Sequence, residues 1–357
     1  MQLGPVKASH LAVACVEYAT NLHRGSLKLQ ADKYRPESIW TKGTIIFTEA
    51  TIINLTQQQR AINDTFHTNV IQKLHSGQQF KMEDLKQYKI LTKEDMTGQN
   101  GFRFVPTLVS GNRERIDISY IQLKEYALAH KIPIVKWKSK HQNWKNSRQN
   151  IENAIQSDCA FFEYFCVGLP GFLTHNISTS LKLANGTPIE LKNFQFQDTD
   201  MQQNFNTAYS NAKPGDEILL PSPPDFLTYE PYPDDDKFHN EWTSKNWPTL
   251  DNQNKRVLLV LDCNSSFNKY KLYPIEGAGY KGPSSVEICS YFSFMMSFAQ
   301  TIHKAEGRML DKVILSLRSV CKFMKFSQIF VAFSRVADHK NIRLLLPLET
   351  INKYLKC

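Results

Sequence analysis

The segment Thr301-Ile302-His303-Lys304-Ala305-Glu306-Gly307 sets a hydroxyl, an imidazole and an ammonium close together along the chain. Each can donate to an anionic oxygen, so Thr301, His303 and Lys304 suit contact with phosphate. A second candidate is Arg335, in Phe330-Val331-Ala332-Phe333-Ser334-Arg335-Val336. Ile329, Phe330, Phe333 and Val336 recur there on one helical face, which assigns the apolar members to a core whatever Arg335 does. A third lies between Lys131 and Arg148, where Lys136, Lys138, Lys140, Lys145 and Arg148 interleave with Trp137 and Trp144. Such a stretch suits a nucleic-acid backbone with an indole stacked on a base. It equally suits a basic surface loop with one buried tryptophan, and the spacing does not choose between them.

Phosphate chemistry is also testable by absence. A nucleotide-binding loop of the form Gly-x-x-x-x-Gly-Lys-Ser/Thr cradles phosphates with its amides and manages magnesium with its hydroxyl. These 357 residues contain no Gly-Lys-Ser or Gly-Lys-Thr. The apolar run Val257 to Leu261 ends in Asp262, as a magnesium-binding strand would, but Cys263 follows where a second carboxylate is usual. Asp262 therefore reads as a strand-end residue, and Asp234-Asp235-Asp236, in a Pro/Tyr loop, as a solvated turn.

The elements that must hold these groups follow from periodicity. Gln57 to Leu74 carries Ala61, Ile62, Phe66, Val70, Ile71 and Leu74 at helical spacing before Gly77. Phe104 to Val109 reads as a strand, Ser110 to Arg113 as a turn, Ile116 to His130 as a helix, and Ile132 to Val135 as a further strand. That strand, helix, strand order predicts a parallel α/β sheet. Between about 183 and 285 the prolines cluster and apolar runs shorten, as at Ile218 to Leu220, which predicts a loop-rich β insertion. Strands are expected again at Val313 to Leu317 and Ile342 to Leu346.

Composition narrows the class without naming it. At 41% hydrophobic the chain is an ordinary globular sequence, and its net charge of +9 is compatible with a polyanionic partner. Seven cysteines form no Cys-x-x-Cys pair and lack histidines at zinc spacing, so reduced thiols are expected. The apolar run Leu11 to Val16 is too short to span a bilayer, and no membrane partner is expected.

Taken in order, several segments resemble motifs of the Pif/RecD-like branch of superfamily-one DNA helicases. Gln2-Leu3-Gly4-Pro5-Val6 is similar to the end of Gly-Asp-x-x-Gln-Leu-x-Pro-Val, and Leu55 to Arg60 to Leu-Thr-x-x-x-Arg. Phe104 to Arg113 resembles the strand and turn that open the second RecA-like domain, and Asn176 to Gly186 a strand leading into an Asn-Gly turn at Asn185. Thr301 to Val313 resembles Thr-Ile-His-Lys-x-Gln-Gly-x-Thr-Leu-Asp-x-Val, and Phe330 to Val336 resembles Tyr-Val-Ala-Leu-Ser-Arg-Val. The chain departs from the pattern at Glu306, where the family has Gln, and at Met309, where it has Thr. A carboxylate near polyphosphate is repelled unless protonated or turned away, so the departures bear on nucleotide coupling more than on fold.

The resemblance implies an α/β protein: a mainly helical remnant of a first RecA-like domain at 1–95, a second RecA-like parallel-sheet domain at 96–182 and 286–357, and a small β-barrel insertion at 183–285. It implies Gln2, Arg60 and Arg335 as catalytic residues and these with Glu306 and Gly307 as nucleotide-binding. Thr301, His303, Lys304, Asn176, Asn185, Trp137 and Lys138 become the DNA-binding candidates. ATP and Mg2+ are the implied cofactors of a complete enzyme, and single-stranded or forked DNA the implied partner. The chain is expected to begin inside a helicase motif, to lack the phosphate-loop half, and to hydrolyse no ATP unless an ATP-binding half is supplied. A non-catalytic single-strand-binding protein or degenerate mobile-element remnant is the alternative. The expected compartment is intracellular, nuclear or mitochondrial in a eukaryote and otherwise cytoplasmic.

Overall fold

The computed structural model describes residues 61–76, 81–97, 101–142, 158–177, 183–231, 259–262, 268–272, 286–318 and 326–347. The chain divides into two compact units, Met1–Ile62 and Asn63–Cys357, and every element below belongs to the second. Gln2, Arg60, Trp144, Lys145, Arg148 and the Asp234 to Asp236 run lie outside the described residues.

Helix α1 spans Thr65–Ser76. It begins later than the spacing from Gln57 predicts, because Asp64 caps it by accepting from the His67 amide at 2.9 Å. Strand β1 (Lys89–Ile90), helix α2 (Lys93–Thr97), strand β2 (Thr107–Val109) and helix α3 (Asn112–His130) follow. Phe104 has φ of +61°, a turn conformation, so the predicted strand at 104 to 109 starts only at Thr107. Helix α3 closes through Lys131, whose left-handed backbone lets its amide reach the Ala127 and Leu128 carbonyls.

The chain then runs through β3 (Ile134–Lys138), β4 (Lys140–Gln142), β5 (Phe162–Phe165), β6 (Pro170–Leu173) and β7 (Pro188–Gln195). Helix α4 (Thr199–Asn211) comes next, in a region whose composition predicts strands and loops. Asp198 starts it, accepting from the Asp200 and Met201 amides. Strands β8 (Glu217–Leu219), β9 (Phe226–Pro231), β10 (Leu259–Asp262), β11 (Asn268–Leu272), β12 (Val286–Ser290), β13 (Phe294–Met296), β14 (Ala299–Thr301) and β15 (Val313–Leu315) precede helix α5 (Phe326–Phe333) and β16 (Ile342–Leu344).

Five strands form a parallel sheet in the order β1-β16-β15-β2-β14. The protein is thus a mixed α/β fold. One face of this sheet packs on α1 and α5 through Val70, Leu74, Leu108, Val313, Leu315, Ile329, Phe333 and Ile342. The predicted strand after α3 does form, but β3 does not join the parallel sheet: it lies between β5, antiparallel, and β8, parallel, in a sheet of its own. Five further strands, β10-β9-β7-β6-β13, make an antiparallel sheet, and β11-β12-β4 a second three-stranded one. Residues of the β5-β3-β8 sheet and of β6, β7 and β9 share a second core with α3, built around Leu123, Trp137, Phe165, Leu191, Phe194 and Phe298. Among the described residues no helix is long and apolar enough to cross a membrane.

Candidate functional site: the carboxyl edge of the parallel sheet

Because all five strands run the same way, their carboxyl ends lie along one edge, where open α/β sheets usually bind ligands. The adjacent ends of β15, β2 and β14 lead there into Ser316, Ser110 and the turn Ile302–Ala305. Thr301 is the last residue of β14, half-buried, while His303, Lys304, Glu306 and Gly307 are exposed. Ile302 and Ala305, buried at 1% and 0%, anchor the turn on the core three residues apart, which leaves His303 and Lys304 between them facing solvent. Gly307 has φ of +78°, which reverses the chain where a side chain would be strained.

Three cations crowd this turn. Although Lys304 is exposed, desolvation at the turn, together with the charges of Arg115 and Arg308, holds its ammonium below the usual lysine value. Burial alone pulls the Arg308 guanidinium down. Arg308 donates to the Gly186 carbonyl at 2.7 Å and to Gln300 Oε1 at 3.5 Å, and lies 4.1 Å over the Phe172 ring. Arg115 is buried on α3. On the neighbouring strand ends, Ser110 Oγ donates to the Arg318 carbonyl at 2.6 Å and Ser316 Oγ to Glu114, whose carboxyl is pushed up by burial.

The Asn176 to Gly186 segment reaches the same place. The Asn185 amide donates to Asn176 Oδ1 at 2.9 Å, and Gly186 adopts φ of +98°, as an Asn-Gly turn requires. Asn176 and Asn185 are both exposed, and Arg308 ties their turn to β14. Arg308 and Arg115 are the members that motif reading passed over. Arg308 directly follows Gly307, and Arg115 sits in the Asn112-Arg113-Glu114-Arg115 start of α3, so position relative to the motifs was the available signal.

Two expected site residues are placed differently. Trp137 is 1% exposed and packs edge-on to Phe292 at 5.9 Å, so it offers no face to a base. The cause is strand geometry: on β3 successive side chains alternate, sending Trp137 inward and Lys138 outward. The pair cannot act on one surface. Arg335 is also 1% exposed. Its guanidinium donates to the Val331 carbonyl at 3.1 Å, the Ser334 hydroxyl at 2.8 Å and the Ala305 carbonyl at 3.4 Å. It therefore sits inside the fold, beneath the His303-Lys304 turn, and not extended as a finger.

Asp262 ends β10, paired antiparallel with Phe226 and away from the parallel sheet. Asp64, Asp338 and His339 bring three ligand-type atoms within 4.8 Å of one another. However, Asp64 already accepts from the His67 amide, the His339 amide and His339 Nδ1, which explains the cluster as a tie between chain segments. Cys159 and Cys166 are free thiols, each pushed up to about 12 mainly by burial, and so unreactive.

Fold and site define an α/β protein with a cationic turn at the carboxyl edge of a parallel sheet. No family model and no curated sequence matches the chain. Among solved structures, the Pif1 helicase from Candida albicans matches at 16% identity and TM-score 0.45, over 88% of this chain and 60% of that one. A Bacteroides Pif1 helicase in complex with ADP-AlF3 and ssDNA matches at 14% and 0.43, over 92% and 60%. Bacteroides Pif1 bound to ssDNA matches at 12% and 0.43, over 94% and 61%. The chain thus spans about 60% of the length of these proteins. Superpositions this loose add nothing to the chemistry read from its own residues.

Proposed function

We propose that this chain is the DNA-binding, second-domain portion of an ATP-dependent DNA helicase of the Pif/RecD-like kind, and that it binds single-stranded nucleic acid through the Thr301 to Arg308 turn. The reading assigns 96–182 and 286–357 to a second RecA-like domain and 183–285 to a β-barrel-like insertion. The observation that carries it is the pair of cations on the turn at the carboxyl edge of the sheet, exposed Lys304 and half-buried Arg308, within the ordered set of helicase-like motifs. Like charges held together destabilise one another, and a phosphate placed among them relieves that cost. Thr301 and His303 supply further donors, and the exposed Asn176 and Asn185 flank the turn.

In a complete enzyme ATP and Mg2+ would bind between two RecA-like domains, with Gln2 and Arg60 contributing. These 357 residues carry no phosphate loop, so ATP turnover requires one from elsewhere. The burial of Arg335 favours, for the chain alone, the reading as a non-catalytic single-strand binder.

The test is fluorescence anisotropy of a labelled oligo-dT with the purified chain across a salt series, alongside an ATPase assay. Salt-dependent binding without ATP turnover is expected. Absence of binding at low salt, or binding unchanged by Lys304→Ala together with Arg308→Ala, would defeat the assignment.

A further inference from the structure

The basic stretch that follows α3 has no part in the cationic turn. Along β3 and into β4 the side chains alternate: Val135, Trp137 and Ser139 are buried at 0%, 1% and 7%, while Lys136 is half-buried and Lys138 and Lys140 are exposed. The alternation carries past the end of β3 because the Ser139 amide donates to the Phe161 carbonyl at 2.8 Å. Three lysines therefore stand in a row on one face, two residues apart, which is about 6.6 Å on a strand rising about 3.3 Å per residue. Half-buried aromatic rings lie along the row. Lys136 Nζ is 4.9 Å from the centre of the Phe162 ring, and Phe162 sits opposite Lys138 in the β3–β5 register. Lys140 Nζ is 4.7 Å from the centre of the Tyr291 ring. Glu217 pairs with Lys136 and lies 3.3 Å from Lys124, whereas no carboxylate among the described residues pairs with Lys138.

We propose, resting on the reading of the Thr301 to Arg308 turn as a nucleic-acid site, that the Lys136, Lys138 and Lys140 row is a second contact for the same single strand. Charge and spacing select this occupant. The repeat of the row matches the interval between successive phosphates of an extended single strand, and rings set among the cations give bases a face to stack on. Phe162 thus takes the part that the sequence suggests for Trp137. The row also continues from the edge that carries the turn. Arg113, in the first turn of α3 at the carboxyl edge, pairs with Asp158 at 2.6 Å, just before β5. That pairing brings the start of β5, and with it the Lys138 end of β3, towards the edge where Lys304 is exposed.

The experiment measures the affinity of the full chain for labelled oligo-dT across a salt series, with polyglutamate as a competitor that carries charge without bases. Lys138→Ala together with Lys140→Ala should weaken binding and lower the slope of log affinity against log salt by about 1.4, the value for two lost single-strand contacts. Phe162→Leu, which keeps an apolar side chain but removes the ring, should weaken binding roughly fivefold or more. If Phe162→Leu fails to fold, the lysine pair decides, since both side chains are exposed. Unchanged affinity and slope in the lysine variant, beside a loss in Lys304→Ala with Arg308→Ala, would overturn the row and leave the turn standing. A loss in the lysine variant alone would support the row and remove the turn. An unsubstituted chain that binds no oligo-dT would overturn both. Competition by polyglutamate as strong as that of unlabelled oligo-dT, or full affinity in a folded Phe162→Leu chain, would mark a site for acidic polypeptide and overturn the proposal.

Discussion

Arg335 Nη1 lies 3.4 Å from the carbonyl oxygen of Ala305, and the Leu310 amide returns a bond to the Arg335 carbonyl at 2.8 Å. The end of α5 is therefore fastened to the turn that exposes His303 and Lys304. Arg335→Ala should destabilise the protein by about 2–4 kcal/mol, because it removes a buried side chain and leaves bonded carbonyls unmet. Urea denaturation checks this. A stability within error of the unsubstituted chain would show that the guanidinium does not hold the turn.

Lys304→Ala should weaken oligo-dT binding and lower the slope of log affinity against log salt by about 0.7, the value for one lost phosphate contact on a single strand. The fold should be untouched, since Lys304 is exposed. Affinity measured at several salt concentrations separates this from a uniform loss through misfolding. An unchanged slope would remove Lys304 from the interface.

Trp137→Phe should leave oligo-dT affinity unaltered, whereas Trp137→Ala should cost about 3–5 kcal/mol of stability. Both follow from an indole packed against Phe292 and not presented to solvent. Loss of oligonucleotide affinity in a folded Trp137→Phe variant would contradict the buried position.

Gly186→Ala tests the link between the Asn-Gly turn and the cationic cluster. At φ of +98° any side chain is strained, and an added Cβ would come within 2.4 Å of Arg308 Nη2. A loss on the order of 1–3 kcal/mol is expected. Displacement of Arg308 should also weaken oligo-dT. A Gly186→Ala chain with full stability and affinity would break the proposed linkage.

Acid should unfold the protein in two stages. His67 is fully buried, and its Nε2 must donate to the Val336 carbonyl at 3.1 Å, so its Nδ1 accepts from the Tyr88 hydroxyl at 2.7 Å. Desolvation lowers its folded pKa, so the unfolded chain binds the proton more readily and stability falls as pH drops below the unfolded value of about 6.5. Burial pushes Asp64 up, but bonds from the His67 and His339 amides and the His339 ring hold it down to about 2. Its contribution, on the order of 1–2 kcal/mol after allowing for screening, is present above about pH 4 and lost towards pH 2. Denaturation midpoints from pH 8 to 2 should show both steps, the upper one absent in a folded His67→Gln variant.

The parts of this fold that sequence discloses are those fixed by local pattern. Ile329 and Phe333 are buried as their helical spacing requires, Phe330 is half-buried, and Val336 is buried beyond the end of α5; β15 and β16 form within their predicted runs, and Gly186 turns the chain with positive φ. What pattern cannot supply is partnership between distant segments. Nothing in Ile134 to Lys138 says that it pairs with Phe162 to Phe165 and not with Thr107 to Val109. For the same reason Lys138 and Trp137 look like one surface in sequence and point opposite ways on a strand. Helix α4 went unseen because its apolar stripe is thin: Met201, Phe205 and Tyr209 recur every four residues among polar neighbours, Phe205 and Tyr209 pack on the core only partly buried, and the Asp198 cap was the other signal.

The parallel sheet closes late in synthesis. Its strand β2 pairs with β14 and β15, whose residues, 299–301 and 313–315, leave the ribosome long after 107–109. Contacts so remote in sequence form slowly, because a long loop must be ordered before they repay its entropy. Until they form, Leu108 and Val109, both buried in the finished fold, have no strand neighbours. The nascent chain therefore passes through an interval in which an apolar strand edge is open to intermolecular pairing, and chaperone cover in that interval should govern the yield of folded protein more than any single contact in the native state.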